Sequence, residues 1–152
     1  MNESVSASEI YSHDGIKDSL THLAAPPYFY ENLRREIASS SRSGKPLSVV
    51  KFIVQNSGAS YEDSILQFAD QLSRNFREED LLARMGQFEF TLLIRENEAI
   101  AEQLSQRFIS YWALNGSKTL TPSYALVTNS YQEGALALLE RLDLCKLLTP
   151  TF

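Results

Sequence analysis

The sequence is short of several residue types, and each shortage excludes a class of protein. Of the 152 residues only Cys145 is a cysteine, which excludes an internal disulfide and any metal site built from several cysteines. The net charge of −5 argues against a binder of DNA or RNA, because such proteins need clustered Lys and Arg to neutralise phosphates. No apolar run approaches the roughly 20 residues of a membrane span, and residues 1–4 do not begin a signal peptide. We therefore predict a cytoplasmic protein with no nucleic-acid partner and no membrane span.

The remaining composition is that of an ordinary folded protein. Hydrophobic residues make up 43% and charged residues 22% of the chain, close to the average of globular domains. A chain of this length folds as one domain and buries enough surface to be stable without disulfides or metal. We predict a domain over residues 16–150, preceded by a polar segment, residues 1–15, that is flexible or partly helical.

Apolar residues recur at helix and strand periods in alternating segments. Pro26 and Pro27 interrupt the first helical spacing, and the β-branched residues of segment 47–54 are typical of a buried strand. The predicted elements are helices over 16–23, 28–37, 62–76, 96–114 and 133–148, strands over 47–54, 81–85, 88–94 and 119–128, and loops over 39–46 and 55–61. This order predicts an α+β domain, an α/β sandwich of ferredoxin-like type, in which helices cover an antiparallel or mixed sheet.

Two segments carry motifs of a known family. Residues 18–23, DSLTHL, are followed by Phe29 and Leu33, and residues 80–93 read DLLARMGQFEFTLL. They resemble D-x-L-T-G-L-x-N-R-R-x-F-x-x-x-L and D-x-x-x-R-x-G-G-D-E-F-x-x-L of the GGDEF family of bacterial diguanylate cyclases, in the same order and at a similar separation. The resemblance implies a nucleotidyl-cyclase-like fold and a reaction that joins two GTP molecules into cyclic di-GMP.

The hairpin signature of that family corresponds here to Gly86, Gln87, Phe88, Glu89 and Phe90. Gln87 replaces the second glycine, so that a side chain occupies space that the nucleotide needs. Phe88 replaces an acidic residue that the family uses at its metal, and an apolar ring does not ligate Mg²⁺. Glu89 and Phe90 are retained. The signature is therefore predicted to be degenerate.

A second departure follows the first predicted strand. There the family reads D-x-D-x-F-K-x-x-N-D, which implies another metal carboxylate and a base-reading asparagine. Here residues 47–54 run into Gln55, Asn56 and two small residues, and no acidic residue appears before Glu62. Phosphoryl transfer in this family depends on metal held by carboxylates. We predict that the chain is not an enzyme, holds no metal and needs no cofactor, and we do not expect Mg²⁺-dependent GTP binding.

A second family motif is retained in the sequence. Many members carry an inhibitory product-binding site, R-x-x-D, five residues before the signature, and Arg77 and Asp80 stand in that register before Gly86. A guanidinium donates two parallel hydrogen bonds to a phosphate or to a guanine edge, and a carboxylate accepts hydrogen bonds from guanine N–H groups. Arg74 and Arg84 are expected to add positive potential on the same side. The candidate ligand is cyclic di-GMP.

Two readings of this site remain open. In the first, the chain is a cyclic di-GMP receptor that acts in trans on a protein partner, in the regulation of biofilm matrix, motility or attachment that the family implies. In the second, Arg77 and Asp80 are an ordinary ion pair at a helix end, and Glu78 and Glu79 repel an anionic ligand. The domain is then a ligand-free module for docking or for forming a homodimer.

Other distinctive residues have simpler explanations. The aromatic residues Phe88, Phe90, Tyr28 and Phe29 are expected to pack in the core, with the alternative that they fill a former substrate cleft. Trp112 is either a core residue or a dimer contact. The remaining candidates are two surface histidines and a buried cysteine, namely His13, His22 and Cys145.

Overall fold

The structure, a computed structural model, describes residues 11–58 and 61–149. In this part of the chain there are four helices and four strands. They are α1 (Pro26–Ser43), β1 (Ser48–Asn56), α2 (Tyr61–Asn75), β2 (Leu81–Gly86), β3 (Glu89–Ile94), α3 (Glu98–Asn115), β4 (Leu120–Thr128) and α4 (Ala135–Asp143). The strands form one sheet in the order β2-β3-β1-β4, and each neighbouring pair is antiparallel. The predicted α+β fold of ferredoxin-like type is confirmed.

Both faces of the sheet are covered by helices. Successive strand side chains point to opposite faces, so Val50 and Phe52 of β1 pack towards α2 and α3, whereas Val49 packs towards α1 and α4. Trp112 of α3 is fully buried in the first of these layers, and its Nε1 donates to the main-chain oxygen of Leu120 at 2.9 Å. Trp112 is therefore a core residue.

The first long helix begins and ends at residues suited to those positions. Pro26 and Pro27 occupy the first turn of α1, where a missing N–H costs nothing. The helix ends at Gly44, which adopts a left-handed conformation with φ of 73°. Two expectations are therefore corrected: the prolines start a helix, and the serine-rich segment 39–43 continues it.

Residues 16–23 do not form the predicted helix. The Asp18 side chain accepts from the main-chain N–H of Thr21 at 2.7 Å, and the Asp18 N–H donates to the Leu23 oxygen at 2.8 Å. These bonds close a turn in which His22 has a φ of 63°. The acceptor on Asp18 therefore competes successfully with helix formation.

The predicted flexible segment lies mostly outside the described residues. Of residues 1–15 only 11–15 are described, and Tyr11 donates its hydroxyl to the main-chain oxygen of Arg84 at 3.2 Å. Residue 11 is thus in contact with strand β2, which the sequence did not predict.

The last helix ends earlier than predicted. After Asp143 the chain turns, and Leu148 pairs with Tyr124 of β4 through hydrogen bonds of 2.7 and 3.0 Å.

Cys145 is half-buried rather than buried, and both histidines are exposed as expected. None of the helices in the described residues is both long and apolar enough to cross a bilayer.

Candidate functional site

The β2–β3 hairpin brings the signature residues against the start of α2. The Gln87 amide donates to the Tyr61 hydroxyl at 2.9 Å. The ring of Phe88 meets that of Tyr61 edge to face, with centroids 5.4 Å apart. The Phe88 main-chain oxygen accepts from the Val54 N–H at 3.0 Å. The two side chains that depart from the signature therefore occupy the space between the hairpin and α2.

The retained acidic residue lies on the other face of the sheet. Phe90 is fully buried with the α2 and α3 layer, and alternation places its neighbour Glu89 on the side of α1 and α4. Burial raises the pKa of the Glu89 carboxyl, and the Lys51 ammonium partly offsets this effect.

Of the four aromatic residues expected in the core, Phe29 and Phe90 are buried, Phe88 is half-buried and Tyr28 is exposed. The expectation is therefore wrong for Tyr28.

The residues at the hairpin turn and at the end of β1 do not fit a magnesium ion. Gln87 and Phe88 stand at the hairpin, and the Asn56 amide at the end of β1 is used within its own loop, where it bonds the Gly58 main chain at 2.8 and 3.1 Å. In residues 11–58 and 61–149, no group of three or more His, Cys, Asp or Glu side chains is arranged so that it could hold a metal ion. Mg²⁺ binds in octahedral geometry through one or two carboxylates, with water or phosphate oxygens at the other positions, and Gln87, Phe88 and Asn56 supply no carboxylate.

Arg84 does not contribute to a surface site. Its Nη1 lies 3.2 Å from both oxygens of Asp18, its Nη2 donates to the Gln87 main-chain oxygen at 2.9 Å, and the Tyr11 ring lies 5.2 Å from the guanidinium. The side chains of Arg84 and Asp18 are both fully buried. The prediction that Arg84 adds positive potential for a ligand is therefore wrong, because Asp18 neutralises it inside the protein.

Arg77 and Asp80 bind each other in the turn between α2 and β2. Asp80 Oδ2 accepts from the Arg77 main-chain N–H at 2.8 Å and from its Nε at 3.4 Å, and Oδ1 accepts from Nη2 at 3.3 Å. The Asp80 side chain is 2% exposed, whereas that of Arg77 is 47% exposed. The hydrogen bond to Asp80 raises the pKa of the Arg77 guanidinium. The carboxylate is thus used inside the turn, and the guanidinium faces solvent.

Arg77 lies at a surface groove between the end of α2 and the side of α3. The groove has a volume of about 230 Å³. Its lining combines two arginines, two acids and an apolar floor: Arg77, Arg107, Asp80, Glu96, Phe76, Ile100 and Leu104, with Asn75 at its end. In this way α3 contributes a second arginine, Arg107, to the groove that Arg77 lines.

The other arginine predicted for this site lies elsewhere. Arg74 is bonded to Asp70 through its Nε at 2.8 Å and does not line the groove. Arg107 was missed by sequence reasoning because it is 30 residues beyond Arg77, and no local pattern indicates that α3 returns to this point. Among the described residues, no carboxylate lies within salt-bridge distance of Arg107.

Acidic side chains also surround Arg77. Glu79 Oε2 lies 3.5 Å from its Nε, and Glu96 Oε2 lies 3.2 Å from its Nη2. Of these two carboxylates, that of Glu96 is the less exposed, at 23% against 54%.

A larger hollow of about 590 Å³ lies between the end of α1 and residues 129–135, but it contains none of the residues indicated by the motifs.

The chain matches a known protein family. The family model described as diguanylate cyclase, GGDEF domain, matches residues 16–119, which is more than half of the chain. The chain therefore belongs to the GGDEF family. A comparison with curated proteins found no match.

Solved structures of GGDEF domains share this fold at low sequence identity. The GGDEF domain of DgcB from Caulobacter crescentus, in complex with c-di-GMP, matches with a TM-score of 0.74 and 17% identity, over 87% of this chain and 88% of that domain. The GGDEF domain of FimX from Pseudomonas aeruginosa matches with a TM-score of 0.73 and 20% identity, over 85% and 90%. The diguanylate cyclase SiaD from P. aeruginosa, in complex with its activator SiaC, matches with a TM-score of 0.75 and 22% identity, over 84% of this chain and 55% of SiaD.

Proposed function

We propose that this chain is a GGDEF domain without cyclase activity that binds cyclic di-GMP in the groove of Arg77 and Arg107 and acts on a protein partner. The observation that carries the proposal is the exposed guanidinium of Arg77, which stands in the R-x-x-D register and opens onto a groove holding a second arginine. The DgcB domain, which shares the fold, was solved with c-di-GMP bound.

The groove has the chemistry that this ligand requires. Cyclic di-GMP carries two phosphates and two guanines, and a guanidinium binds either group through paired, charge-assisted hydrogen bonds. The two arginines supply such donors, while Phe76, Ile100 and Leu104 offer an apolar surface against which a flat base can lie. We assign phosphate or guanine contact to Arg77 and Arg107. Asp80 acts as a positioning residue, because its oxygens already accept three hydrogen bonds from Arg77.

The proposed absence of catalysis rests on the hairpin and the end of β1. Gln87 and Phe88 pack against Tyr61 where the family places a glycine and a metal carboxylate. Glu89, the remaining acid of the signature, lies on the opposite face of the sheet from Phe88 and Phe90, where Lys51 and Asp143 act on its carboxyl.

One observation favours the alternative, a ligand-free docking module. Arg77 lies within 3.5 Å of three carboxylates, those of Glu79, Asp80 and Glu96, and this concentration of negative charge opposes an anionic ligand. SiaD, which shares the fold, was solved in complex with an activator protein. In this alternative, Arg77 and its acidic neighbours form an ion-pair network with a structural role, and the domain acts through protein contacts alone.

Isothermal titration calorimetry with cyclic di-GMP separates the two readings. We expect micromolar binding to the wild type and at least about tenfold weaker binding to Arg77→Ala, since a charge-assisted bidentate contact contributes about 1.5–3 kcal/mol. Arg74→Ala is the matched control: it removes an equal charge from an exposed arginine three residues away, outside the groove. Absence of heat with the wild type at high ligand concentration would leave the docking module.

A further inference from the structure

The least expected neighbour of Arg77 is Glu96, which follows β3 and reaches into the same groove. Its Oε2 lies 3.2 Å from Arg77 Nη2, and its side chain is only 23% exposed. The main chain at this position is held by Ser48, whose hydroxyl donates to the Glu96 oxygen at 2.7 Å. The main chain that carries this carboxylate is thus anchored close to Arg77.

The three acidic neighbours of Arg77 are not equivalent. Asp80 is buried and accepts the main-chain N–H of Arg77, so it cannot leave without opening the turn. Glu79 is the most exposed of the three and lines a different hollow, on the side of α1. Glu96 lines the groove itself, and its carboxylate pairs with Arg77 at Nη2, at the outer end of the guanidinium. Glu96 is therefore the neighbour that an incoming anion displaces.

We infer that Glu96 is an internal competitor for the ligand-binding arginine: its carboxylate occupies Arg77 when the groove is empty and must give way for an anionic nucleotide to bind. The inference rests on the proposed function of this groove. Arg77 Nη2 is shared between Asp80 and Glu96, and a ligand phosphate replaces the second contact while the first is kept. Glu96 thereby lowers the affinity of the groove and restricts it to ligands that offer a second contact, such as one to Arg107.

A charge-matched pair of variants tests this role. Glu96→Gln removes the competing charge without changing the length of the side chain, and Glu78→Gln removes an equal charge next to Arg77 in the sequence but outside the groove. In calorimetric titrations with cyclic di-GMP we expect Glu96→Gln to bind about three- to tenfold more tightly than the wild type. We expect Glu78→Gln to bind within about twofold of it, since a charge outside the contact is largely screened. Thermal melting of each variant checks that the fold is kept.

The double variant Arg77→Ala/Glu96→Gln shows whether the gain passes through Arg77. If Glu96 competes for this guanidinium, the gain disappears when the guanidinium is absent. A gain that persists in the double variant, or that Glu78→Gln reproduces, would reduce the effect to net charge and overturn the inference.

The same titrations separate this inference from the proposed function. If the wild type binds and Glu96→Gln binds no more tightly, the competitor role is overturned and the receptor role stands. Binding to Glu96→Gln alone would support the competitor role and overturn the receptor role of the wild type. If neither protein binds, both proposals are overturned, because a freed Arg77 then recognises no ligand.

Discussion

Gly116 lies directly against the indole of Trp112, so close that a Cβ at position 116 would come within 2.2 Å of the ring. The Gly116 N–H donates to the Trp112 main-chain oxygen at 2.7 Å, and its φ of −91° is one that any residue adopts. Glycine is required here by the space between the end of α3 and its largest core side chain, and not by backbone conformation.

We therefore expect Gly116→Ala to lower the free energy of unfolding by about 1–3 kcal/mol, the usual cost of forcing an extra carbon into a packed core. Gly134→Ala is the control, because a Cβ at the N-cap of α4 would meet no atom within 4 Å. Urea denaturation measures both changes. Equal stability of the two variants would contradict the close approach of Gly116 to Trp112.

The buried pair of Asp18 and Arg84 supports a second prediction. Asp18→Ala leaves the Arg84 guanidinium buried and without its counter-charge, and breaking such a pair costs about 3–5 kcal/mol. Asp70→Ala, which removes the exposed partner of Arg74, should cost less than about 1 kcal/mol. Chemical denaturation of the two variants compares a buried with an exposed pair. A small effect of Asp18→Ala would mean that Arg84 finds water or another partner.

The hairpin supports a prediction about activity. Gln87→Gly combined with Phe88→Asp rebuilds the family signature, yet we expect no cyclic di-GMP from GTP and Mg²⁺, because Gln55 and Asn56 still end β1 where the family implies carboxylates. Chromatography of the nucleotides after incubation measures the product, with the wild type assayed beside the double variant. Product from the wild type would overturn the proposed lack of activity, and product from the double variant alone would show that the hairpin by itself decides it.

The loop before α4 gives a prediction for acid pH. Glu133 accepts from Arg141 Nε at 2.9 Å and from the Ser130 N–H at 3.0 Å, and the Arg141 hydrogen bond lowers the pKa of Glu133 below its ordinary value of 4.5. Between the lowered pKa and 4.5 the unfolded chain binds more protons than the folded one. The stabilisation is therefore fully present above pH 4.5 and is lost as the pH falls through the folded pKa.

We expect Glu133→Gln to be less stable than the wild type at pH 7, with a difference that shrinks towards pH 3. Denaturant midpoints measured across this range give the comparison. Glu62→Gln serves as the charge-matched control, since no salt bridge to Glu62 is found in the described residues. A difference for Glu133→Gln that stays constant with pH would contradict the role of this carboxylate.

Local patterns were enough to predict the sheet and its hairpin. The β-branched run of β1 is recognisable over a few residues, and the family motifs fix the register of Arg77 and Asp80. The hairpin is predicted around Gly86 and Gln87, and the structure places its turn one residue later, at Gln87 and Phe88. Helix ends were less predictable: the Asp18 side chain closes a turn where apolar spacing indicates a helix, and the serine-rich end of α1 remains helical as far as Gly44.

The surroundings of the site depend on contacts that are distant in sequence. Arg84 is buried because Asp18, 66 residues earlier, lies against it, and a motif of five residues contains no sign of that partner. Arg107 and Glu96 line the same groove as Arg77 because β3 and α3 return beside α2. Their roles follow from topology, which the element order predicts only in outline.

The pairing of Leu148 with Tyr124 has a consequence for self-association. An edge strand offers unpaired N–H and C=O groups to which a strand of another chain can be added, and proteins cover such edges to avoid aggregation. Here Leu148 already occupies one position along that edge, because it pairs with Tyr124 in the middle of β4 through two hydrogen bonds. A second copy of the protein could add a continuous strand along the whole of β4 only if Leu148 first left Tyr124.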